Sequence, residues 1–169
     1  MTMTPGSAGS TDLGVDAESV FAHIHRAQLV PLIRVHDAGT ALQLVDRLLA
    51  ADLDVVEITA TIDGWDEVIR TIRRSYPAVC AGAGTVTTAA LAQRAVAAGA
   101  QFCVSPCLAP QARAVLEPTG VPMLEGGLTP IPLADAAAWL AAEPFAVGIG
   151  SELTAPGDTA ARVQEALHR

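Results

Sequence analysis

Short apolar runs alternate along the chain with longer stretches of helical spacing, and this alternation predicts a repeating β/α unit. The first ordered element is expected as a helix over residues 16 to about 27, with Val20, Phe21 and Ile24 on one face. The run Leu29-Val-Pro-Leu-Ile-Arg-Val35 predicts a buried strand, and Leu42, Leu44, Val45, Leu48 and Leu49 give the following helix its apolar stripe. Residues 55–59 form the next expected strand, ahead of a helix over 65–74, and residues 79–86 form another, ahead of a helix over 88–98. Two further pairs follow: strand 101–105 with helix 110–116, and strand 121–125 with helix 133–141. Strand 145–149 and a terminal helix from 159 to about 167 complete the pattern. Residues 1–14, rich in Gly, Ser and Thr, read as a flexible tail, which leaves 15–169 as a single domain.

Short apolar strands alternating with helices imply a largely parallel sheet with helices over its outer side. A common β/α barrel has eight units and needs about 250 residues. With 169 residues, this chain is too short for one. A closed six-stranded barrel, an open sheet covered by a partner subunit and a doubly wound sheet all satisfy the periodicity.

Composition narrows the chemistry. At 51% hydrophobic and 17% charged residues, the chain has enough apolar material for a sizeable core. A formal charge of -8, with no Lys/Arg cluster to offset it, argues against nucleic acid or an anionic membrane as partner. No apolar run reaches the roughly twenty residues of a membrane span, and the first ten residues lack the regions of a signal peptide, so a cytoplasmic location is expected. Cys80, Cys103 and Cys107 have no disulfide or CxxC spacing and read as reduced thiols. All ten Lys/Arg positions are arginine. A lysine Schiff base is therefore excluded within this sequence.

Glu57 is the sharpest candidate for chemistry, because it interrupts an apolar strand where a carboxylate must be paired, hydrated or used. Desolvation would raise its pKa and suit it to proton transfer beside a carbonyl. The alternative is a structural carboxylate paired with Arg34 on the preceding strand. His36 lies just past that strand, where ligand loops gather in parallel β/α folds, and is either a proton relay or a solvent-facing loop residue. Gly82-Ala-Gly-Thr85 permits close backbone approach, with Thr85 as a hydroxyl for a carboxylate or carbonyl oxygen or as a packing residue. Gly126-Gly127 and Gly148-Ile-Gly-Ser151 both follow apolar strands; Gly126, Gly127, Gly150 and Ser151 together suggest an anion pocket built on backbone N–H groups. Cys107 follows Ser105-Pro106 as a reactive or packing thiol, and Glu125 ends a strand where it either complements Glu57 or serves as a cap or a solvated surface carboxylate. The remaining histidines show no metal-ligand spacing, and no cofactor is implied.

Several of these segments carry a family resemblance: Val30-Pro-Leu-Ile-Arg34, Val56-Glu-Ile-Thr59, Gly82-Ala-Gly-Thr-Val86, Gly99-Ala-Gln-Phe102 and Ser105-Pro106, then Gly126-Gly-Leu-Thr-Pro130 and Gly148-Ile-Gly-Ser151. The chain resembles the bacterial 2-keto-3-deoxy-6-phosphogluconate aldolases and the related 4-hydroxy-2-oxoglutarate aldolases over most of residues 18–151. The resemblance implies a TIM-barrel-like parallel β/α fold, here shortened to about six β/α units, and a homo-oligomer acting on a small anionic keto acid. It also implies that Glu57 moves protons and that Thr85 and Pro106 contact substrate. The family's lysine strand has no counterpart, since Val121-Pro-Met-Leu-Glu-Gly-Gly-Leu-Thr-Pro130 runs almost directly from one landmark to the next, as though two units were lost or fused. A substrate-binding arginine is replaced near Thr61, a glycine by Cys107, and a threonine by Glu125. The expectation is an aldolase-related lyase, isomerase or cyclase using lysine-independent acid/base chemistry, with Arg34 and Cys107 beside Thr85 and Pro106 at the substrate and charge stabilised by Arg34 and backbone N–H groups. The competing expectation is a noncatalytic anion-binding or assembly protein on the same scaffold.

Overall fold

In a computed structural model, residues 16–126, 147–155 and 157–168 are described. The expected tail over 1–14, the expected helix over 133–141 and Gly127 lie outside them. The elements run α1 (Ala17–Ala27), β1 (Leu29–Ile33), α2 (Ala38–Leu49), β2 (Val55–Thr59), α3 (Trp65–Ser75), β3 (Cys80–Gly84), α4 (Ala89–Ala98), β4 (Phe102–Ser105) and α5 (Pro110–Leu116). A 3-10 turn (Glu117–Thr119) leads to β5 (Met123–Glu125); β6 (Val147–Ile149), the short turn α6 (Ser151–Thr154) and α7 (Thr159–His168) follow.

The helices begin where their caps are encoded. Asp16, Asp37 and Thr88 each accept a backbone N–H of the helix they precede, from Glu18, Thr40 and Leu91 respectively. Pro110 opens α5, where a missing N–H costs nothing. Gly99 ends α4 in the left-handed region, at φ 83°, which glycine adopts without strain.

The strands form one sheet of order β5-β4-β3-β2-β1-β6, and every pairing is parallel. The sheet curls into a half-barrel, with β5 and β6 at its two edges. No strand pairing among the described residues closes the sheet, and the fold is the shortened TIM-barrel-like one that the resemblance implies. The last strand joins β1, so among the described strands β5 and β6 are the two edges of the sheet, with residues 127–146 between them in sequence.

Strand alternation sorts the core into two layers. Leu29, Ile33, Val56, Ile58, Ala81, Ala83 and Cys103 pack outward against helical residues such as Leu48, Ile69, Ile72 and Ala95. Val30, Val55, Cys80 and Phe102 point inward and meet Val20 and Ile24 of α1, which plugs the interior. Gly82 leaves room there for the Phe102 ring, which a Cβ at that position would overlap. Gly82→Ala is expected to cost about 1–3 kcal/mol by overpacking, measured as a lowered urea midpoint with unchanged slope. An unchanged midpoint would contradict this packing. No helix among the described residues is long and apolar enough to cross a membrane.

Candidate active site

Position and register place Glu57 at the centre of the half-barrel. It pairs with Leu32 of β1 on one side and Gly82 of β3 on the other, two strands that flank β2. Its parity within β2 is that of the inward Val55, so its side chain enters the interior, where the residue is only 3% exposed. The carboxyl group lies across the backbone of Gly84, where a Cβ would sit 2.7 Å from its Cδ and 2.9 Å from its Cγ. Glycine at 84 is thus the condition for this placement.

Burial pushes the Glu57 pKa up from 4.5 to about 7, with the positive charge of Arg34 opposing the rise. Desolvation outweighs Arg34 because Arg34 is itself exposed to water. Near neutral pH the group is therefore divided between acid and base forms.

Glu57 lines a cleft of about 480 Å³ together with Ile24, Val30, Val104, Leu124 and Gly148, and with Met123, Glu125 and Gly126 at the β5 edge. A second, more polar depression of about 410 Å³ is lined by Arg34, Val35, His36, Asp37, Thr40 and Thr61. Arg34 links the two, lining one and acting electrostatically on the carboxylate of the other. His36 belongs to the polar depression and is exposed. Thr40 hydrogen bonds to Asp37 through both N–H and hydroxyl, which holds that carboxyl below its usual range. Thr59, one step beyond Ile58, donates its hydroxyl to the Ile33 carbonyl at 3.1 Å and lies 3.0 Å from the Thr61 hydroxyl.

Thr85 follows β3 with φ at 61°, a left-handed conformation that a β-branched residue rarely adopts. Backbone strain of this kind is held in place by surrounding structure and gathers at functional sites. Pro106 and Cys107 follow β4 and are exposed, with the Cys107 N–H donating to the buried Ser105 hydroxyl at 3.4 Å. Burial pushes the Cys80 and Cys103 thiols up to about 11 and about 12, so both stay protonated near neutral pH.

Glu125 is committed differently from Glu57. One oxygen accepts the Ala109 N–H at 2.8 Å, at the start of α5, and the other pairs with Arg113 of that helix. Gly126 donates its N–H to the Ser105 carbonyl at 2.9 Å, so that donor is already used. Gly126 and Gly150 follow β5 and β6, the two edges of the sheet, and Gly126 lines the same cleft as Gly148 of β6. Gly150 precedes α6, whose first residue is Ser151.

Sequence reasoning passed over Gly84 as distinct from Gly82, and over Ile24 and Val104 as cleft residues, whereas Gly148 belongs to the Gly148-Ile-Gly-Ser151 turn it read as part of an anion pocket. The parity of Glu57 with Gly84 on neighbouring strands was the available signal, and it needed the register Glu57↔Gly82 to be read. Among the described residues, no group of three or more His, Cys, Asp or Glu side chains could hold a metal ion.

The model of the KDPG and KHG aldolase family matches residues 20–140. The 2-dehydro-3-deoxy-phosphogluconate aldolase of Treponema pallidum is 34% identical over 108 residues, 64% of this chain and 51% of that protein. The enzyme of the same name from Haemophilus influenzae is 30% identical over 114 residues, 68% of this chain and 54% of that one. The chain thus spans about half the length of the curated relatives it matches. In fold, it resembles the 2-keto-3-deoxy-6-phospho-gluconate aldolase of Zymomonas mobilis ATCC 29191, with a TM-score of 0.70 at 21% identity over 90% of this chain and 97% of that one. With the family model covering most of its length, the chain belongs to the KDPG and KHG aldolase family.

Proposed function

We propose that this protein is an aldolase-related lyase or isomerase that moves a proton on a small 2-keto acid through Glu57, without a Schiff base. The observation that carries the reading is the buried Glu57 carboxyl, facing a cleft and titrating near about 7, in a sequence that has no lysine. An ionised Glu57 takes a proton from the carbon beside the keto group. The C–H electron pair becomes the new C=C bond, and the carbonyl π pair moves onto oxygen as an enolate. Arg34 supplies the nearby positive charge, and Thr85 a hydroxyl at the end of β3, the strand beside that of Glu57. Reversal returns the proton from the Glu57 carboxyl to carbon. The relatives are named as aldolases, and an enolate is also the species that carbon–carbon cleavage releases or consumes.

Proton exchange tests this step without knowledge of the natural substrate. In D₂O the protein is expected to incorporate deuterium at C3 of pyruvate faster than buffer alone, followed by loss of the methyl proton signal in NMR. Exchange at the buffer rate, with pyruvate still bound, would instead favour the noncatalytic anion-binding scaffold.

A further inference from the structure

We infer that Thr61 is a specificity-determining residue of the polar depression lined by Arg34, where Thr59 holds its hydroxyl as an acceptor for a hydroxyl group of the bound keto acid. The inference deepens the reading above by naming what the site recognises. It rests on that reading for the keto acid and not for Glu57 as the base.

Proton counting carries the argument. A threonine hydroxyl has one proton to give and two lone pairs. Thr59 is buried, and its oxygen lies 3.1 Å from the Ile33 carbonyl oxygen and 3.0 Å from the Thr61 hydroxyl. A carbonyl can only accept, so the contact with Ile33 uses the Thr59 proton. The contact with Thr61 is then made by the Thr61 proton, donated to Thr59. The reverse assignment, with Thr59 donating to Thr61, makes only one of these two hydrogen bonds and takes the donor from a carbonyl at the buried Ile33. Thr61 is exposed, so its lone pairs are open to the depression that it lines.

Thr40, on the same depression, is polarised in the same sense. Its hydroxyl lies 2.8 Å from Asp37 Oδ2, and the Thr40 N–H and hydroxyl hold that carboxyl below its usual range, so Asp37 accepts and Thr40 donates. Both threonine hydroxyls among the described lining residues thus give their protons to the protein. What they leave for a ligand is lone pairs. Arg34, in the same lining, is a donor with no acceptor. An acid with its carboxylate at Arg34 and a hydroxyl at Thr61 matches both residues, whereas a carboxylate oxygen at Thr61 would set lone pair against lone pair.

The test is an NMR titration with 3-hydroxypyruvate and 2-oxobutanoate, which differ by a hydroxyl in place of a methyl group. Wild-type protein is expected to bind 3-hydroxypyruvate about 3–10-fold more tightly, the worth of one net hydrogen bond. Thr61→Val keeps the shape and removes the lone pairs; it is expected to bring that ratio to about one with the fold intact, because Thr61 is exposed. Thr59→Val frees the Thr61 proton and is expected to lower the ratio, and Thr59→Ser, which keeps both hydrogen bonds, to restore it. If Thr59 only supported the fold, Thr59→Val would weaken both acids together and leave their ratio unchanged, which would overturn its role in holding Thr61. A wild-type ratio of about one or below, a preference that survives Thr61→Val, or no binding of either acid would overturn the inference. Both acids bound at the expected ratio but exchanging at the buffer rate would remove Glu57 as the base and leave Thr61 in this role.

Discussion

Replacing Glu57 with glutamine is expected to slow C3 deuterium exchange by about 10²–10⁴-fold, the range that a positioned general base contributes. The same substitution is expected to make the fold less sensitive to rising pH. Glu57 has a folded pKa of about 7 against an ordinary 4.5, so the folded state holds its proton more tightly than the unfolded state. Its contribution to stability is therefore lost as pH rises through that window, because the charged form is the one that burial penalises. Between about pH 5 and about pH 8 the stability of Glu57→Gln relative to wild type should improve by about 2–3 kcal/mol. Comparing two pH values cancels the constant cost of burying the amide. Urea unfolding at both pH values measures it, and a pH-independent difference would show that Glu57 is not desolvated.

Gly84→Ala carries the second large effect, and it acts through Glu57. The added methyl would lie 2.7 Å from the Glu57 Cδ and 2.9 Å from its Cγ, so the carboxyl group must leave its place. A displacement of about 1 Å at a reacting group costs about 10²-fold in rate, and a loss of at least that size is expected. Two residues that act as a unit are not additive. On the Glu57→Gln background the glycine change should therefore add little further loss of exchange. Additive losses would mean that Gly84 serves a purpose other than positioning this carboxylate.

Much of this site was legible in the sequence because it follows from strand period and burial. A carboxylate at the middle of Val55–Thr59 is inward or outward with no intermediate, and the expected strand has the observed bounds. Where strands end was less legible, since local backbone decides it. The strand expected over 79–86 stops at Gly84 because Thr85 turns into the left-handed region. The strand expected from 121 begins at Met123, after Pro122, which has no N–H to give, although its carbonyl accepts the Cys103 N–H at 2.9 Å. Partner choice was not legible at all. Periodicity identifies Gly126 and Gly150 as turn glycines after strands, but only the sheet order puts them at its two edges. Likewise, Glu125 and Glu57 look alike along the chain. They differ because α5 offers Glu125 a free N–H and Arg113, whereas the inner face offers Glu57 apolar side chains and a glycine backbone.

The pH dependence of exchange tests the account most directly, because it reads the ionisation of the group that moves the proton. For wild-type protein, kcat/KM for C3 exchange should rise through a single ionisation at about 7 and level off above it, as Glu57 loses its proton. A profile that is flat from about pH 5.5 to about pH 8.5, or one that persists unchanged in Glu57→Gln, would contradict the assignment of Glu57 as the base.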